Sequence, residues 1–173
     1  VDLYGRVFDL IDMRSFSNLW YWIALAVLWS TSSHWVLGVP FDLIQRARRR
    51  GGQAAEDVAT LVGVNARRYL YIASEAGLWI AAFTGFALAV LFVLGFGYGV
   101  EFCQAVFLLV APTTLVGLWS VRTAHRYAKR APSGEALYRM LRWHRLGVQA
   151  MGIVSVFVTA MWGMWMNMVV TGL

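Results

Sequence analysis

A chain of 173 residues with 60% hydrophobic side chains and a mean hydropathy of +0.59 carries more apolar residues than the roughly half found in soluble globular domains, and reads as an integral membrane protein. Its single cysteine, Cys103, excludes a disulfide framework, a CxxC redox pair and a thiolate cluster within one chain. The net charge of +6 flanks hydrophobic stretches instead of belonging to a recognition module, so it reads as membrane topology and nucleic acid is not an expected partner.

In chain order, residues 1–17 carry charges throughout and lack the basic start, short apolar core and small-residue cleavage site of a signal peptide. Val7, Leu10, Ile11 and Phe16 among those charges predict a short interfacial helix. Searching for about 20 apolar residues per crossing gives four spans, at 18–39, 69–96, 100–121 and 146–170. Span 1 opens on LWYWIALAVLW and then places Ser30, Thr31, Ser32, Ser33 and His34 in its last third.

The segment 40–68 has structure of its own: Pro40 ends or kinks span 1, Phe41, Ile44 and Ala47 recur at helical spacing, and Gly51-Gly52 breaks that helix. A second helix from about Ala54 is expected to run into span 2. There Ala73, Gly77, Ala81, Gly85 and Ala89 make a small-residue stripe at every fourth position. Such a stripe lets helices approach closely in lipid, and it is expected to lie inside the bundle or against another subunit. After span 3, the segment 122–145 reads as two helix extensions around Pro132, with Ser133 a candidate N-cap and Glu135 in the first turn that follows. Span 4 carries a shorter stripe, Ser155, Thr159 and Gly163, and a bulky surface of Met161, Trp162, Met164, Trp165, Met166 and Met168 suited to a lipid, pigment or protein contact.

The basic residues orient the spans. All but Arg6 and Arg14 of the fifteen lie in 40–68 or 122–145, which makes both segments cytoplasmic and both termini periplasmic. Arg46, Arg48, Arg49, Arg50, Arg67, Arg68, Arg122, Arg126, Lys129 and Arg130 form a basic face for anionic headgroups or a cytoplasmic partner.

At about 1.5 Å per helical residue, His34 near the end of span 1 and Glu75 near the start of span 2 lie at similar depth. An intramembrane ionisable group needs a partner, so a His34–Glu75 polar clasp supported by Ser30 and Ser33 is expected. The same histidine admits two other readings. One is a short proton route; the other is an axial ligand to haem or pigment, with Ala26 and Ser30 leaving a shallow resting surface and His144 as the available second histidine. His125 and His144 otherwise belong in solvent among the arginines. The chain has no Gly-rich phosphate loop, HExxH, GxSxG or paired-carboxylate site, so no catalytic or metal site is expected.

The stretch from Asp2 to Gln53, GLW in span 2 and YGVEFCQAVFLL in span 3 resemble an uncharacterised family of alphaproteobacterial inner-membrane proteins, some labelled as components of the Suf iron–sulfur assembly complex. The resemblance covers residues 2 to 120 and implies a bacterial inner membrane, with no site residue carried over. The expectation is an all-α four-span bundle serving as a non-enzymatic accessory subunit or assembly factor of a respiratory or photosynthetic membrane complex. The alternatives are a haem or pigment carrier and, on architecture alone, the small membrane subunit of a solute transporter.

Overall fold

A computed structural model describes residues 15–171. The interfacial helix expected in 1–17 lies outside them except for a 3-10 turn, Ser15–Ser17. Six α-helices follow: α1 Leu19–His34, α2 Phe41–Arg50, α3 Gly52–Glu75, α4 Gly77–Phe92, α5 Glu101–Arg130 and α6 Gly134–Thr171. A π-helical turn, Val93–Gly97, extends α4. Strands β1 (Trp35–Val36) and β2 (Val39–Pro40) pair antiparallel between α1 and α2.

Three of these segments are long and apolar enough to cross a membrane, Gly77–Gly97, Glu101–Arg130 and Gly134–Val169. Helix α1 begins where the Asn18 side chain accepts from the Trp20 N–H at 3.0 Å, an N-cap bond. It stops after 16 residues, sooner than the expected 18–39, because residues 35–40 turn back as a hairpin. At the helical rise that is about 24 Å, against a hydrocarbon core of about 30 Å. The helix leading into span 2 is nearly continuous: Ala76 departs from helical geometry, yet its N–H reaches the Ile72 carbonyl and its own carbonyl accepts from Ile80.

The antiparallel pair α5–α6 is the centre of the fold. Helix α1 packs on α6, α3 and α4 pack on α5, and α2 packs on α3 and reaches α6. The turn before α1 is fastened to the start of α5, where the Phe16 N–H donates to Glu101 Oε1 at 2.8 Å. All basic segments therefore gather at one end of the molecule.

That basic end holds the apolar core. Val36, Leu37 and Val39 of the hairpin, Ile44 and Ala47 of α2, Val58, Val62 and Ala66 of α3, Ala124 of α5, and Leu137 and Leu141 of α6 form one buried cluster. The apolar positions Ile44 and Ala47 recognised in the sequence point into it. By contrast α4 buries no residue. The difference follows from the surroundings: apolar side chains at a watery end gain by leaving solvent, whereas beside lipid tails they gain little by turning inward.

The hairpin is built around a two-residue turn, Leu37 (φ 50°) and Gly38 (φ 73°), and the tight turns that suit twisted strands require such positive φ. Leu37 accepts this unfavourable backbone because its side chain fills the core. Gly38 has no such compensation to offer, so Gly38→Ala is expected to lower stability by about 1–2 kcal/mol. A denaturation midpoint equal to wild type would show that the hairpin relaxes around the methyl group.

The span 2 stripe does not lie inside the bundle. Ala81, Gly85 and Ala89 are exposed, Ala73 and Gly77 are partly covered, and a Cβ at Gly77 or Gly85 would meet nothing within 4 Å. Further along α4 the partly covered positions are Thr84, Ala87, Leu88 and Leu91, in a helix that packs on α5. The α6 stripe is internal: Ser155, Thr159 and Gly163 are buried, with Trp22 and Phe16 against Gly163.

Candidate functional site

His34 closes α1 with its side chain 56% exposed, and Nε2 lies 3.9 Å from Asp42 Oδ1 in the first turn of α2. Ser33 Oγ donates back to the Ser30 carbonyl at 3.1 Å. No bond joins His34 to Glu75, which corrects the expected clasp. Equal depth does not bring them together, since α1 rests on α6 whereas Glu75 ends α3, on the α5 side of the molecule. The hairpin instead returns Asp42 to His34, a local contact that depth alone did not disclose.

The other histidines divide. His125 is exposed, with Nδ1 3.1 Å from the Val121 carbonyl, as expected of a solvent-facing residue. His144 is buried, not solvated, and its Nδ1 lies 2.9 Å from Thr123 Oγ1. Thr123 Oγ1 also lies 2.9 Å from the Trp119 carbonyl. With the hydroxyl proton donated to that carbonyl, the pattern assigns the imidazole proton to Nδ1. The nitrogen that faces Thr123 is thus engaged in holding α5 to α6. Among the described residues no three His, Cys, Asp or Glu side chains gather to hold a metal ion.

A polar junction at the other end of the molecule had no counterpart in the sequence reading. Gln104, in α5, is buried; its Nε2 donates to the Gly95 carbonyl at 2.8 Å and its Oε1 accepts from Trp162 Nε1 at 3.0 Å. One amide therefore ties α4, α5 and α6 beside the rings of Phe92, Phe96 and Phe107. An amide near the start of a span is the only sequence signal that pointed there. Elsewhere on α6, Met161, Met164, Trp165 and Met168 remain about half exposed, so its bulky surface faces outward.

All ten residues of the expected basic face are exposed. Arg48 makes a two-pronged pair with Glu135, Nε to Oε1 at 3.2 Å and the second nitrogen to Oε2 at 3.3 Å, linking α2 to α6. The sequence reading gave no separate role to Arg145. Its guanidinium stacks 3.7 Å from the Phe41 ring centroid, and its Nε donates to the Ser33 carbonyl at 3.2 Å. That carbonyl belongs to the last turn of α1, where carbonyls lack helical partners and a cation is favoured. Arg48, Arg139, Arg142 and Arg145 together line a cleft of about 560 Å³ between α2 and α6. The sequence placed Arg139, Arg142 and Arg145 in one basic segment; α2 had to fold across α6 to make a cleft of it.

No family model, curated protein or solved structure matches the chain.

Proposed function

We propose that this protein is a non-catalytic accessory subunit or assembly factor of a larger bacterial inner-membrane complex, respiratory or photosynthetic in type, and that another integral membrane subunit packs on α4. In this reading α1 crosses as a fourth span, with the bilayer thinned locally around its short length. The basic end is cytoplasmic and both termini are periplasmic, as the charge bias favours.

The observation that carries the proposal is the outward face of α4. It presents Ala81, Gly85 and Ala89 at four-residue spacing, the arrangement by which membrane helices approach closely, with Leu78, Trp79, Phe83 and Phe86 around it. The half-exposed methionines and Trp165 of α6 supply a second adaptable surface.

The test is to extract the tagged chain from its native membrane in mild detergent and identify stoichiometric companions by mass spectrometry. The expected result is an integral membrane partner that is lost in Gly85→Leu while the variant keeps the wild-type melting temperature. A lone chain, or a partner retained by Gly85→Leu, would overturn the proposal. A large transport protein in that position would instead favour the solute-transporter subunit.

The haem or pigment carrier is favoured by a different observation: His34 opens on a recess lined by Ser30, Thr31, Ser33, Trp35 and Arg145. It requires a Soret or chlorophyll band in the purified protein that disappears in His34→Ala. A colourless preparation removes it.

A further inference from the structure

The arginine cleft at the basic end is one of three cavities that share walls. Arg145 lines both the cleft and the recess beside His34. Ser30 and Ser33 line both that recess and a groove of about 760 Å³ between α1 and α6. Gln149 lines both the cleft and the groove. The groove continues along α6 over Gly152, Ile153, Val156 and Phe157, with Trp29 of α1 as its other wall.

The chemistry changes along this path in one direction. Arg139, Arg142, Leu146, Gln149 and Ile153 follow one another at three- and four-residue steps, so a single face of α6 begins with guanidinium groups and continues uncharged through Leu146 and Gln149 to Ile153. No charged residue follows Arg145 in the chain. In the cleft, Glu135 is taken by Arg48, and among the described residues no carboxylate lies within ion-pair distance of Arg139, Arg142 or Arg145. The cleft thus keeps a surplus of positive charge, and its volume is that of a small-molecule site, about 300–1,000 Å³.

Guanidinium groups in a fixed array match the paired oxygens of a phosphate. A free phosphate would use the cleft alone and leave the groove without a role. An anionic phospholipid uses both. We propose that the cleft and groove form one binding site for an anionic phospholipid, its phosphate held by Arg139, Arg142 and Arg145 and an acyl chain lying along α6 past Ile153 and Phe157. Trp29, itself almost wholly buried, closes the groove on the α1 side. Selectivity for a net-negative headgroup follows from the surplus charge, because the choline cation of a zwitterionic lipid meets arginines with no spare carboxylate. This site is independent of any partner on α4.

The test uses the full chain, stripped of lipid in a non-ionic detergent and titrated with phosphatidylglycerol in mixed micelles, with phosphatidylcholine, and with inorganic phosphate. Native mass spectrometry reads bound adducts and the melting temperature reads stabilisation. Phosphatidylglycerol is expected to bind at least tenfold more tightly than either alternative. Arg139→Gln with Arg142→Gln is expected to weaken it at least tenfold, while Lys129→Gln with Arg130→Gln, an equal loss of charge outside the cleft, leaves it within twofold. Ile153→Trp, which fills the groove at an exposed position, is expected to weaken the lipid without touching the cleft. Equal binding of phosphatidylcholine would overturn the proposed selectivity. Tight binding of inorganic phosphate with no effect of Ile153→Trp would make the cleft a soluble-anion site. Equal losses in the two arginine and lysine pairs would reduce the effect to general charge. Circular dichroism of each variant separates lost binding from lost fold.

Discussion

Leu141→Ala is expected to destabilise the protein by about 2–5 kcal/mol, the range for emptying a packed core position whose neighbours cannot close the gap. Leu141 is fully buried among Val58, Val62, Ala124 and Leu137, contributed by three helices. Leu78→Ala removes the same atoms from α4, where the side chain is 81% exposed, and its expected effect is within about 0.5 kcal/mol. The comparison is made by unfolding both variants in the same detergent. It tests the division of the molecule into an end that packs away from water and helices whose apolar sides face lipid. Equal losses would mean that α4 is packed as tightly as the basic end.

Gly95→Ala and Gly85→Ala should differ just as sharply, although both glycines belong to the same apolar segment. A Cβ at Gly95 would stand 2.9 Å from the backbone nitrogen of Gln104 and 3.2 Å from the carbonyl carbon of Cys103, atoms that cannot swing aside. Separating the chains would also weaken the bond from Gln104 to the Gly95 carbonyl, so a loss of about 1–3 kcal/mol is expected. At Gly85 nothing lies within 4 Å, and alanine's better helix propensity is expected to leave stability unchanged or raise it by up to about 1 kcal/mol. Melting temperatures of the isolated protein decide this. A destabilising Gly85→Ala would mean that the stripe is already occupied within the single chain.

Together these two glycines explain why one part of the fold could be read in advance and another could not. Small residues at four-residue spacing tell that a close approach is possible. They do not tell which helix makes it. In span 2 the regular stripe faces outward, whereas the close approach to α5 is made at Gly95, just past the end of that stripe. On α6 the stripe Ser155, Thr159 and Gly163 does pack inward, and at Gly152, outside its spacing, a Cβ would stand only 2.7 Å from the Trp29 ring.

The sequence by itself determined the helical membrane character, the turns at Gly51 and Pro132, and the collection of basic residues into two segments. These depend on properties summed over many neighbouring residues: hydropathy, helix-breaking residues and charge. Even the helical spacing of Phe41, Ile44 and Ala47 was readable, because water lies on the other side of that helix and forces apolar residues to one face. Only the tertiary structure decided that α1 rests on α6, that His34 meets Asp42 and not Glu75, that His144 is buried against Thr123, and that Gln104 joins three helices. Where lipid is the solvent, an apolar side chain is nearly as well satisfied outside as inside, so hydropathy no longer marks the inward face. The partners of the few polar groups are then set by which helices the chain reversals place side by side.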